Sequence, residues 1–376
     1  MIGRGVLAGV LALGSGGIVP AQARAEPDCN PPIGHYTMAE SWAQRRLDIK
    51  RVWPLTRGEG VTVAVIDSGV DQNHPQIRLA GKADLTNTTF RDCVGHGTAV
   101  AGILAGQYIK GSAFYGVAPG VRLLSIKQSN EDTGDVALLA KAIRTAADLG
   151  ARVINVSIQA SDQPDLRDAV KYALWKDVVI VAAAGNSENS NEGPAYPASY
   201  DGVLSVGSAN PDGKRSDFSN VDSTVSVLGP GQDIISTWPR KAYASGLKGT
   251  SFATPYVAGV AALVRSRFPR LDQVRVRQRI IATADGELGK GTGAGMVNPL
   301  LAVTAILPSE QVAVAPPAQP PLPATAIRKV PPPDTRAMNV AGAVAGGALL
   351  LTGLLVAASR VVPLGRKRGW RASRAN

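Results

Sequence analysis

Gly249-Thr250-Ser251-Phe252-Ala253-Thr254-Pro255 is the stretch on which the reading of this 376-residue chain turns. Beyond it, from Tyr256 to Phe268, apolar residues recur at Val257, Val260, Ala261, Val264 and Phe268, a spacing that predicts a helix. Pro255 reads as a first-turn residue, where a missing N–H costs little. Ser251 is therefore expected on a glycine-led turn at a helix mouth, where N–H groups face any negative charge that develops. Taken alone, a serine there is as readily an N-cap. A nucleophile needs a base and a carboxylate elsewhere in the chain.

Both are available. Val63-Ala64-Val65-Ile66 is a short, β-branched run of the buried-strand kind that ends in Asp67-Ser68-Gly69. A carboxylate at the carboxyl end of a strand is where open α/β sheets gather their catalytic groups. The base is nearly chosen by elimination among three histidines: His35 lies in an N-terminal loop, and His74 precedes Pro75 in a turn. His96 instead sits in Gly95-His96-Gly97-Thr98, ahead of a buried helix predicted over 99–104, with glycines that permit close approach.

The chain order Asp67, His96, Ser251 is one of the three known orders of the serine triad. With it, Asp67-Ser68-Gly69, Gly95-His96-Gly97-Thr98 and the Ser251 stretch resemble the three signature blocks of the subtilisin-like serine proteases, over about residues 40 to 305. The resemblance implies an acyl-enzyme mechanism with Asp67, His96 and Ser251 as catalytic residues and no cofactor or metal. It also implies that Asn186, after the strand Val178 to Val181, donates to the oxyanion together with the Ser251 N–H. Read without it, Gly185-Asn186 suits a turn. Ser157, Ile158, Gln159, Ala183, Ala184 and Gly185 are by the same likeness the substrate-binding wall, although Gln159 and Ala160 stand where the family more usually has glycines. Asp71 and Asp92, which flank the blocks, read as solvated loop carboxylates. No aspartate-rich loop has convincing calcium spacing.

Strand-like runs (61–66, 121–126, 153–158, 178–181, 203–206) alternate with helix-like ones (137–149, 166–175). That alternation predicts parallel βαβ winding, and the resemblance makes it a three-layer α/β fold, a mostly parallel sheet flanked by helices, over a catalytic domain at 44–306. Outside this domain the composition changes. Residues 1–25, with Arg4, an apolar core and small residues at Ala21, Ala23 and Ala25, read as a signal peptide. In the oxidising compartment this implies, Cys29 and Cys93, the only cysteines, are expected to pair. That would pin an N-terminal extension, 26–43, beside the loop that carries His96, where it either inhibits the cleft or wraps the domain, the disulfide favouring the second.

Nine prolines between Pro308 and Pro333 mark a spacer, taken as 307–336. Residues 337–359 are uncharged and long enough to form a transmembrane helix. The tail 360–376 holds six basic residues and no acid, which predicts a cytoplasmic tail and an extracytoplasmic catalytic domain. Leaving out those six, Arg4 and Arg24 reduces the net charge from +11 to +3, so nucleic acid loses its support as a partner. The whole layout resembles the mycosins, membrane-anchored subtilisin-like proteases of type VII secretion. So do Trp42-Ala43-Gln44-Arg45-Arg46-Leu47, Arg51-Val52-Trp53-Pro54-Leu55-Thr56-Arg57-Gly58 and His74-Pro75-Gln76. The likeness implies proteolysis of exported proteins, a place in the secretion membrane complex, or both; an anchored protease of other envelope proteins is the alternative.

Overall fold

Short runs of Val, Ile and Ala become a sheet, and the segments between them wind back over its faces. The computed structural model describes residues 29–36, 39–131, 134–187, 193–286, 289–310 and 334–369. The signal peptide expected over 1–25, most of the linker (311–333) and the tail from 370 lie outside the described residues. α1 (Trp42–Leu47) opens with a capping box: the Gln44 N–H donates to the Ser41 hydroxyl and the Ser41 N–H to the Gln44 side chain. There follow β1 (Thr62–Asp67), β2 (Leu79–Asp84), α2 (His96–Ala105), β3 (Arg122–Lys127), α3 (Val136–Asp148), β4 (Val153–Val156) and α4 (Pro164–Trp175). β5 (Val179–Ala183), β6 (Leu204–Ala209) and β7 (Val227–Pro230) complete the sheet. β8 (Ile234–Trp238) and β9 (Ala242–Leu247) form an antiparallel hairpin, and α5 (Thr250–Arg267), α6 (Gln273–Ala282) and α7 (Pro299–Thr304) end the unit.

The seven strands are all parallel, in the order β2-β3-β1-β4-β5-β6-β7. Successive residues of a strand point to opposite faces, and here both faces are covered. Val63, Val65, Val153, Val179 and Val181 join one core with α2 and α5, whereas Ala64, Ile66, Ile154, Val156, Ile180 and Ala182 join the other with α3 and α4. This is the three-layer α/β architecture expected from the alternation. β2, β7 and the hairpin were not anticipated; β2 reads Leu-Ala-Gly-Lys-Ala-Asp, without a β-branched residue, and takes its place as the partly exposed edge.

Chain order around β1 is what makes the site. The chain lays β3 on one side of β1 and β4 on the other, so the carboxyl end of β1 sits where the winding changes direction. Asp67 is its last residue.

The chain divides after Gln311 into a second unit, whose described part is one helix, α8 (Thr335–Lys367), N-capped by Asp334. At 33 residues it is about 50 Å long, beyond the roughly 30 Å of a bilayer core. Its apolar side chains, Leu349 and Leu350 among them, are exposed and its most apolar window has mean hydropathy 2.1. It is a candidate membrane span by length and composition. The span read at 337–359 falls within it, and the helix continues into the basic segment.

Candidate active site

Adjacent strand ends and two helix N-termini converge. Asp67 ends β1, Ser157 follows β4, and Asn186 follows β5, the three strands lying side by side. His96 is the first residue of α2 and Ser251 the second of α5. Both helices start on glycine caps with positive φ, 97° at Gly95 and 148° at Gly249. At Gly95 a Cβ would also come within 2.4 Å of the Trp238 ring, so the hairpin fixes how the His96 turn sits.

Asp67 Oδ1 lies 2.7 Å from His96 Nδ1 and also accepts the Ser68 N–H at 2.8 Å. The carboxylate is 2% exposed and the imidazole 23%. With the Nδ1 proton held by Asp67, the lone pair of a neutral ring is on Nε2. Phe252 packs on the ring, centroid to centroid 5.1 Å.

Behind this pair lies a carboxylate that sequence reasoning misplaced. Asp92, read as a solvated loop residue, is buried. Its Oδ1 accepts from Gly95 N–H (2.8 Å) and Val94 N–H (3.1 Å), and its Oδ2 from the N–H (2.8 Å) and hydroxyl (2.6 Å) of Thr98. The Ser68 hydroxyl is 2.9 Å from Oδ1, closer than its 3.2 Å to Asp67, and its single proton therefore goes to Asp92. Ser68 Oγ in turn accepts the Gly97 N–H at 3.0 Å. One carboxylate thus ties the residue after Asp67 to the turn that begins α2. Burial pushes the Asp92 carboxyl up, against the bonds from Thr98, Gly95 and Ser68 that favour its charged form.

The start of α5 also differs from the sequence reading. The helix begins at Thr250, so Pro255 falls inside it and not in its first turn. Its missing N–H leaves the Ser251 carbonyl without the usual helical donor. The Ser157 hydroxyl supplies one at 2.8 Å, itself held by Asn155 Nδ2 at 2.9 Å. The N-cap reading of Ser251 falls away, since Gly249 holds the cap position and no side chain caps it. Asn186 Oδ1 accepts both the N–H (2.8 Å) and the hydroxyl (3.0 Å) of Thr250. That fixes the amide orientation and leaves its NH2 as the donor end next to the nucleophile turn.

His96, Ser251, Asn186, Ser157, Ile158, Gln159, Ala183 and Gly185 line one cavity of about 380 Å³. Ala184 stands behind that lining, its N–H donating to Val206 and its carbonyl accepting from Ser223. Gln159 reaches over Gly185, where a Cβ would meet its Oε1 at 2.7 Å. Ala160 exchanges both its backbone bonds with Tyr196, so this edge cannot offer them to a substrate strand.

The other two histidines stay apart. His35 pairs through its backbone with Tyr243 on the hairpin. His74 is buried, its Nδ1 accepting the Gln76 N–H and its Nε2 3.1 Å from the Ala242 carbonyl. Cys29 and Cys93 are bonded to each other. The described part of the N-terminal extension runs along the hairpin, with Trp238 Nε1 donating to the Pro32 carbonyl, and none of it lines the cleft. Among the described residues no three side chains of His, Cys, Asp or Glu come together as a metal site.

A family model described as the subtilase family, Peptidase_S8, matches residues 58–300. Mycosin-3 of Mycobacterium tuberculosis (strain ATCC 25618 / H37Rv) is 38% identical over 397 aligned positions, covering 87% of this chain and 84% of that protein. Thermitase of Thermoactinomyces vulgaris is 36% identical over 280, covering 72% of this chain and 99% of its own. Among solved structures, the MycP3 protease from the type VII (ESX-3) secretion system superposes with a TM-score of 0.65 at 34% identity, covering 75% of this chain and 95% of that one.

Proposed function

The chain belongs to the subtilase family, and from that premise we propose that it is a membrane-anchored endopeptidase that cleaves exported proteins in the setting of a type VII secretion system. Family membership makes it a serine protease; the residue roles, the anchor and the setting are the proposal. Ser251 Oγ attacks the peptide carbonyl while His96 Nε2 takes its proton, which then passes to the leaving amine. Asp67 holds the imidazole tautomer and stabilises its cation. The oxyanion is met by the Asn186 NH2 and the Ser251 N–H, and water then hydrolyses the acyl-enzyme.

The observation that carries this reading is the 2.7 Å bond between Asp67 and His96 in a cleft that also holds Ser251 and an Asn186 amide oriented by Thr250. Replacing Ser251 by Ala is expected to abolish peptide cleavage and labelling by a fluorophosphonate while the melting temperature stays put. Labelling that persists in Ser251→Ala would sink the assignment.

The anchor reading rests on α8 and on Arg360, Arg366, Lys367 and Arg368, whose charge favours a cytoplasmic C-terminus. The secretion setting rests on the likeness to Mycosin-3 and to the MycP3 protease. Secretion that persists in a Ser251→Ala strain but fails on gene deletion would make attachment, not cleavage, the main task.

A further inference from the structure

A second cavity, of about 390 Å³, opens beside the blocks that carry Asp67 and His96 and shares no lining residue with the cleft around Ser251. Lys82, Arg91, Arg240 and Lys241 line it, all exposed, beside an exposed Phe90. None of these four cations has an ion-pair partner among the described residues. Two acids, Asp71 and Asp92, line it as well. Asp71 accepts the N–H groups of Asn73 and Arg240, and Asp92 is buried among its donors. Four cations against these two acids leave the lining net positive, and with a net charge of only +3 outside the two termini that is a local concentration and not a reflection of a basic protein.

The hairpin tip gives an independent observation. Between the paired residues Trp238 and Ala242, the turn Pro239-Arg240-Lys241 holds Arg240 at φ 66° and Lys241 at φ 61°. Two successive left-handed residues are what Asn and Gly supply without strain, yet this turn carries two long cations. Their setting is fixed: the Arg240 N–H donates to Asp71 at 2.8 Å and its guanidinium to Asn30 at 2.6 Å. Lys82 is likewise placed, 3.0 Å from the Gln72 side-chain oxygen and 4.6 Å over the Phe90 ring.

We propose that this cavity is a docking site for an acidic stretch of the protein substrate, separate from the cleft in which the bond is cut. Its volume suits several residues of polypeptide and exceeds what a single inorganic anion would fill. Carboxylate side chains would pair with the guanidinium and ammonium groups, and an apolar residue between them would lie on Phe90. Asp92, which lines this cavity, is bonded to the Gly95 and Thr98 N–H groups at the turn that carries His96, so a segment held here is delivered to the neighbourhood of the cleft. Tethering of this kind raises effective concentration and lowers KM, leaving kcat alone.

The inference rests on the protease reading, and its test separates the two. Full-length protein in detergent is assayed on a quenched peptide that it cleaves through Ser251, carrying at either end a run of Asp and Glu or a matched run of Ser and Gln. The acidic version is expected to show a KM lower by about tenfold at unchanged kcat, with the advantage lost near 0.5 M salt. A Lys82→Glu, Arg91→Glu, Lys241→Glu variant should lose the advantage and keep its rate on the neutral peptide. Equal KM values in the wild type, or an advantage that survives in the variant, would overturn the docking site. If the triple variant melts early, Lys82→Glu alone should remove part of the advantage. Should Ser251 resist fluorophosphonate and no peptide be cut, the protease reading fails. Anisotropy of a fluorescein-labelled Asp/Glu decapeptide on Ser251→Ala protein then decides the cavity by itself: salt-sensitive binding that is lost in the triple variant supports it, and no binding refutes it.

Discussion

Exchanging Asp92 for Asn would put an amide NH2 among five donors, all aimed at a carboxylate. Whichever way the amide turns, at least one backbone N–H then faces its NH2, and the tie between Ser68 and the first turn of α2 loosens. Because misplacing a catalytic group by about 1 Å can cost on the order of 100-fold, Asp92→Asn should lower kcat by about 10- to 100-fold with KM little changed. A kcat within twofold of wild type would show that the two blocks hold their register without it. His74 gives a prediction in pH. Burial lowers its pKa from 6.5, so the unfolded chain takes up a proton that the folded one resists. Stability is therefore full above about pH 6.5 and falls as pH drops through 6.5 towards the lowered value. Melting temperatures between about pH 5 and 8 should show this slope, reduced in His74→Gln.

The start of α5 is the element on which chemistry and packing meet. Pro255 breaks the helical bonding at the Ser251 carbonyl, and Ser157 repairs it from the end of β4. Ser157→Ala leaves that carbonyl without its donor, which should cost about 1–3 kcal/mol and slow acylation of Ser251 more than it weakens substrate binding. A variant with unchanged stability and acylation would mean that solvent serves the carbonyl equally well. The strands at the centre of the sheet were legible from their Val and Ile runs because both faces are buried, which leaves little freedom in composition. β2 and the hairpin were not. Their residues are chosen for the edge and for the contacts of Ser236, Thr237 and Trp238 with α2 and the His96 turn, which no local pattern reveals.

At the scale of the whole molecule, the cores that cover both faces of the sheet are drawn from residues 43–303. A chain ending at Gln311 is therefore expected to fold, melt as the full chain does and label at Ser251, while no longer co-sedimenting with lipid vesicles. Loss of labelling in that truncation would make α8 part of the catalytic fold. The sequence by itself determined the reaction class and the layered α/β architecture, and it set Asp67, His96 and Ser251 in the blocks from which the triad is proposed. Those features rest on local blocks and on periodic burial, which a linear pattern records. Only the tertiary structure decided that Asp92 is a buried tie and not a solvated acid, that Ser157 serves the Ser251 carbonyl, and that Lys82, Arg91, Arg240 and Lys241 ring one cavity. Each joins segments far apart in the chain, and burial or charge concentration is a property of the space between them, which spacing along the chain does not encode.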